Sequence, residues 1–139
     1  MDCRYYKSSD VFDIEPLYSS QFSIAQLRNI FDNSVTVTFY DRYEIHAIAG
    51  VLPAHNNTAG VYLMVGNNVK RHIRTLIREI KLLLRVYADT NHLKSFYTVA
   101  EQRFCRWVEV LGFTYQSTIR GTEPTLYKYK LRSLLWDFQ

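Results

Sequence analysis

The sequence predicts an α/β fold with a mixed sheet, and three observations carry that expectation. Strand-like and helix-like segments alternate through the middle of the chain, from Val61 to Ile119. Short connections join strands into hairpins early and late. Eleven of the 139 residues are tyrosine, which favours strands and half-buried surfaces. Hairpins give antiparallel neighbours and helical crossovers give parallel ones, so one sheet must contain both.

Residues 2–7 alternate loosely and read as a first strand. Ser8, Ser9 and Asp10 offer helix N-caps before Val11, Phe12, Ile14 and Leu17, and Pro16 keeps that helix short. Ser23 caps a second short helix whose Ile24, Leu27, Ile30 and Phe31 share one face. Residues 35–40 form a strand with Val35, Val37 and Phe39 on one face. Asp41 and Arg42 signal a turn, and the partner strand runs from Tyr43 to about Leu52. Pro53 to Gly60 reads as a polar loop, and Val61 to Val65 as a nearly all-apolar central strand.

The clearest helix follows. Val69, Ile73, Leu76, Ile77, Ile80, Leu83, Leu84 and Tyr87 recur at spacings of three and four, with Asn67 or Asn68 as its cap. Its other face carries Lys70, Arg71, Arg74, Arg78, Lys81 and Arg85 against the single acid Glu79. A strand around 95–99 and a helix from Glu101 to Leu111 come next, with Gly112 as the C-cap. Strands from Phe113 to Ile119 and from Thr125 to Leu131 end the fold. The order is β-α-α-β-β-β-α-β-α-β-β, a single domain over residues 1–139 with an apolar tail at 132–139.

The composition narrows the function classes. A 47% hydrophobic content excludes a disordered chain. Cys3 and Cys105 are the two cysteines, too few for a disulfide framework or a zinc ligand set. His46, His55, His72 and His92 are scattered along the chain without ligand spacing, so no metal site is expected. No apolar run approaches a membrane span, and residues 1–7 lack the apolar stretch of a signal peptide. The formal charge of +4 is compatible with a polyanionic partner.

Two stretches carry a family resemblance. The strand Leu63-Met64-Val65 runs straight through Gly66-Asn67-Asn68 into the long helix, and Phe104 to Phe113 ends in Leu111-Gly112-Phe113. With the element order, these resemble the GNAT superfamily of N-acetyltransferases over nearly the whole chain. The family splays its strands at the first stretch and receives the pantetheine and pyrophosphate of acetyl-CoA there. The resemblance thus implies Met64, Val65, Asn68, Lys70, Arg71 and Arg74 as cofactor-contacting positions.

The sequence departs from the family at both stretches. Active members place a glycine-rich turn where this chain has Asn67 to Arg74, and glycine lets backbone N–H groups approach the phosphates. Val108 stands where many members have a tyrosine general acid, and Glu101 where the family has an asparagine. Glu44, His46 and Tyr62 are the groups eligible as a base on the central strands, and none is assigned a catalytic role.

The chain also resembles GNAT-like internal virion and virion-morphogenesis proteins of tailed bacteriophages. That resemblance implies a non-enzymatic role in virion assembly, no cofactor, and phage structural proteins as partners. It places the chain in a virion or the host cytoplasm. The alternative is a divergent acetyl-CoA-dependent N-acetyltransferase acting on an amine. A third expectation is polyanion contact through Lys70, Arg71, Arg74, Arg78, Lys81 and Arg85.

Overall fold

The structure is a computed structural model that describes residues 1–16, 22–121 and 125–132. Among the described residues seven strands, β1 (Asp2–Tyr5), β2 (Val35–Tyr40), β3 (Ile45–Pro53), β4 (Thr58–Val65), β5 (Ser95–Glu101), β6 (Thr114–Ile119) and β7 (Leu126–Arg132), make one sheet in the order β1-β2-β3-β4-β5-β7-β6. The chain divides into two compact units, Met1–Leu52 with Val61–Leu76, and Pro53–Gly60 with Ile77–Gln139.

In the first unit, β1 (Asp2–Tyr5) and β3 (Ile45–Pro53) flank β2 (Val35–Tyr40), both antiparallel to it. The short α1 (Asp10–Asp13) and α2 (Ile24–Asp32) lie on a core of Val11, Ile14, Leu27, Phe31, Ile48 and Met64. Ser23 starts α2 with a complete capping box: its hydroxyl accepts from the Gln26 N–H, and its own N–H donates to the Gln26 side chain. Leu27 and Phe31 are buried as the periodicity requires, whereas Ile24 at the first turn is exposed. Strand β2 corrects the predicted face. Phe39 is buried but Val35 is half exposed, and Thr36 and Thr38 on the other face are buried.

Those threonines are tolerated because each has a partner. Thr36 donates to the Phe31 carbonyl at 2.9 Å, and Thr38 donates to Asp10 at 2.8 Å. Asp10 is 2% exposed and also receives two bonds from Arg4, at 2.7 and 2.8 Å, and the Lys7 N–H at 2.9 Å. Burial by itself would raise its carboxyl; the bonds from Arg4, Lys7 and Thr38 outweigh it and hold the group below its ordinary value.

In the second unit, Asn56 and Asn57 both take positive φ, 59° and 57°, which asparagine tolerates, in a turn closed by the Ala54 N–H donating to the Thr58 carbonyl at 2.9 Å. This tight turn replaces the predicted long loop, because β3 runs on to Pro53 and β4 (Thr58–Val65) begins at Thr58. Thr58–Gly60 pair in parallel with Ser95–Tyr97 of β5 (Ser95–Glu101). β7 (Leu126–Arg132) inserts between β5 and β6 (Thr114–Ile119), antiparallel to both, and its central place buries Tyr129.

The long helix opens with a 3-10 turn, Val69–His72, and continues as α3 (Ile73–Asn91). Val69, Leu76, Ile80, Leu84 and Ala88 are buried, and all six cations of the predicted basic face are exposed. The late helix is shorter than predicted. Glu101 ends β5, Gln102–Phe104 form a 3-10 turn, and α4 covers Cys105–Val110. No helix among the described residues is long and apolar enough to cross a membrane. The tail expected at 132–139 lies outside the described residues from 133 onward.

Candidate functional site at the turn after β4

The end of β4 runs against the start of β3 at very close range. A Cβ on Gly66 would stand 2.9 Å from the Ile45 carbonyl oxygen and 3.1 Å from that of His46. Only glycine lets the Gly66 N–H reach the His46 carbonyl at 2.6 Å. The next residues are held from the other side. Pro16 bridges Gly66, and the Asn67 N–H donates to the Glu15 carbonyl at 2.7 Å.

The turn then closes on itself. The Val69 N–H donates to the Gly66 carbonyl at 3.2 Å, and the Arg71 N–H donates to that of Asn68 at 3.4 Å. Asn68 precedes the turn, but its side chain makes no cap. Its amide instead donates to both carboxylate oxygens of Glu44 at 3.1 Å. Of the six cofactor-contacting positions expected from the sequence, Met64 and Val65 are buried, while Asn68, Lys70, Arg71 and Arg74 are exposed at or just after the turn.

On the β3 side of this turn the fold gathers groups far apart in sequence. His46 is 1% exposed, and its Nε2 lies 2.7 Å from Asp41 Oδ2. Asp41 Oδ1 accepts the N–H groups of Tyr43 and Glu44 at 2.8 and 3.0 Å. The bond from His46, joined by those two N–H groups, pushes the Asp41 carboxyl well below the usual carboxylate range. His72, from the turn, brings its Nε2 to 3.7 Å from Asp41 Oδ2 and its ring to 4.4 Å from that of His46. His46 Nδ1 is buried and has no partner, so the proton shared with Asp41 sits on Nε2.

Sequence spacing missed this cluster. By spacing Asp41 is a turn residue and the histidines are scattered, and it is β2–β3 pairing and the 3-10 turn that bring the three together. The one linear signal is that His72 falls within the altered turn, Asn67 to Arg74. Among the groups eligible as a base, His46 is closed off by burial and its bond to Asp41. Tyr62 packs half-buried against the α1–α2 core. Glu44 is half-buried and hydrogen-bonded by Asn68.

Val108 lies in the second unit, buried at 9% exposure on α4. It fills a C-terminal motif: the Phe113 N–H donates to the Val108 carbonyl and the Gly112 N–H to that of Glu109, both at 3.0 Å. Gly112 has φ +102°, so the glycine of Leu111-Gly112-Phe113 is there for the backbone.

No protein-family profile matches the chain, and no curated protein matches it. Solved structures do. Ard1 from Thermoplasma volcanium superposes with a TM-score of 0.73 at 10% identity, over 96% of this chain and 97% of its own. A Bacillus subtilis acetyltransferase solved in complex with CoA gives 0.72 at 8% identity, covering 95% and 98%. A spermidine N-acetyltransferase from Vibrio cholerae gives 0.62 at 13%, covering 95% of each chain.

The chain has the GNAT fold. The expected fold and element order stand, and at these identities the likeness is one of fold. Within it, the altered turn is a glycine contact at Gly66 followed by a closed 3-10 turn.

Proposed function

We propose that the chain is a divergent N-acetyltransferase that uses acetyl-CoA to acetylate an amine and holds the cofactor's phosphates by side chains. The observation that supports this best is the set of exposed cations Lys70, Arg71 and Arg74 at the turn after β4, in a fold whose solved neighbours are acetyltransferases. The N–H groups of Asn67, Val69 and Arg71 already donate within the chain. A backbone cradle from those groups is therefore closed, and the cations fit the phosphates in its place. Charge-assisted bonds from arginine to phosphate are the strong kind, and they need no glycine.

When bound, acetyl-CoA would supply the thioester carbonyl that an amine attacks. Of the chain's own groups, Glu44 is suited to accept the amine's proton, its carboxylate oriented by Asn68. Val108 supplies no proton to a leaving thiolate, so turnover is expected to be slow. Isothermal titration with acetyl-CoA tests the reading. Micromolar binding is expected, weakened at least about tenfold by Arg71→Glu, which reverses one phosphate-contacting charge. No binding up to about 1 mM, the weak end of the affinity scale, would overturn it.

A second reading, a GNAT fold serving virion assembly without acyl transfer, draws on buried Val108 and the three engaged N–H groups. Its partners would be phage structural proteins, in a virion or the host cytoplasm, and co-purification with particles tests it. The exposed cations from Lys70 to Arg85 would then contact a polyanion, with affinity falling steeply as salt rises.

A further inference from the structure

We infer that Asp41, His46 and His72 form a binding site for one divalent transition-metal ion of the zinc class. Their three ligand atoms, Asp41 Oδ2 and one ring nitrogen from each histidine, lie within 4.8 Å of one another. Around a zinc ion with bonds of about 2.0–2.2 Å, tetrahedral ligand atoms stand about 3.3 Å apart. The carboxylate oxygen now sits 2.7 Å from His46 Nε2 and 3.7 Å from His72 Nε2. Both carboxylate distances lie within about 0.6 Å of the required spacing, and the two histidine nitrogens, within 4.8 Å of each other, must close by up to about 1.5 Å. That movement falls on His72, a half-buried side chain at the protein surface.

The surroundings of Asp41 are those a ligating carboxylate needs. Its Oδ1 is fixed by two backbone N–H groups, which orients Oδ2 toward the histidines. Two imidazoles and one carboxylate suit zinc, nickel, copper or iron and discriminate against magnesium and calcium, which want oxygen ligands. Three protein ligands leave positions for water.

One feature opposes the metal. Ligation through His46 Nε2 moves that ring's proton to Nδ1, which is buried without an acceptor. A missing partner of this kind lowers metal affinity by about 10- to 100-fold, which leaves a site of ordinary rather than extreme strength. The bound ion would cross-link the 3-10 turn Val69–His72 to the segment joining β2 and β3. The inference is independent of acyl transfer, since it uses neither Glu44 nor the exposed cations.

The test is isothermal titration of the tag-free full chain with zinc chloride, paired with nuclear magnetic resonance of the histidine ring nitrogens. One zinc per chain is expected, with ring-nitrogen shifts at His46 and His72 and none at His55 or His92. His72→Ala and Asp41→Asn should each weaken binding at least about tenfold, and magnesium chloride should not compete. His72→Ala removes a partly exposed side chain, so its fold can be verified by circular dichroism without zinc. The inference fails if zinc up to about 100 µM, a weak affinity, gives no stoichiometric binding. It fails equally if both variants bind like the parent chain, or if the shifts fall on His55 and His92.

Discussion

Two turns in this molecule sit where the GNAT resemblance places motifs, and they are held in opposite ways. The turn at Gly112 is built by its neighbours in sequence. Its two closing bonds run back only five and three positions, to Val108 and Glu109, and its glycine is fixed by a φ of +102°. The turn at Gly66 is built from a distance. Its bonds and contacts reach Ile45 and His46 on β3 and Glu15 and Pro16 beyond α1. A glycine retained for backbone conformation is legible in a sequence; one retained for a close approach is not. The contrast also bears on function, because bonds that fix the second turn engage N–H groups a phosphate would otherwise meet.

If distant contacts hold the Gly66 turn, the largest effect should come from loosening α1. Asp10→Ala leaves the partly exposed Arg4 and the buried Thr38 without their partner, a loss of about 3 kcal/mol, the upper end for hydrogen bonds to a charged group. Urea denaturation measures this, and a loss below about 1 kcal/mol, the worth of an ordinary exposed pair, would break the comparison. The same carboxylate gives a pH signature. Its folded-state value is depressed, so its contribution is complete above the ordinary value of 3.8 and fades as pH falls through the lower folded value. Asp10→Asn should flatten that acid limb of the stability curve.

Gly66→Ala comes next. The added methyl meets two backbone oxygens that cannot rotate away, so β3 must shift, at a cost of about 2–3 kcal/mol. Its effect should appear as a lower denaturation midpoint. Because His46 lies on the shifted strand and Asp41 bonds to it, their ring and carboxyl resonances should move as well. The smallest effect is Gly112→Ala, about 1–2 kcal/mol for forcing a side chain into the left-handed region. There the nearest atom is Leu131 Cδ1 at 3.3 Å, the end of a flexible side chain that can yield. A Gly112 cost larger than the Gly66 cost would invert the argument.

Hydrophobic period, capping residues and turn chemistry made most of the fold legible in advance. Ser23 was readable as a cap, the α3 stripe as a buried face, and Gly112 as a helix stop, because each depends on residues a few positions away. The strand faces were less legible. Thr36 and Thr38 look solvent-facing by pattern, yet Phe31 and Asp10 supply the partners that let them be buried. The β3–β4 connection is shorter than its polar stretch predicts because two asparagines take left-handed φ and tighten it into a turn.

The site was the least legible part. Residue identity alone says that the turn after β4 lacks the family's glycines and carries Lys70, Arg71 and Arg74. What replaces the glycines depends on packing: Gly66 and Asn67 held by β3 and residues 15–16, a 3-10 turn after them, and Asp41, His46 and His72 drawn together beside it. Asp41 and His72 are thirty-one positions apart in the chain. No spacing rule joins them, and strand pairing with the close approach at Gly66 does.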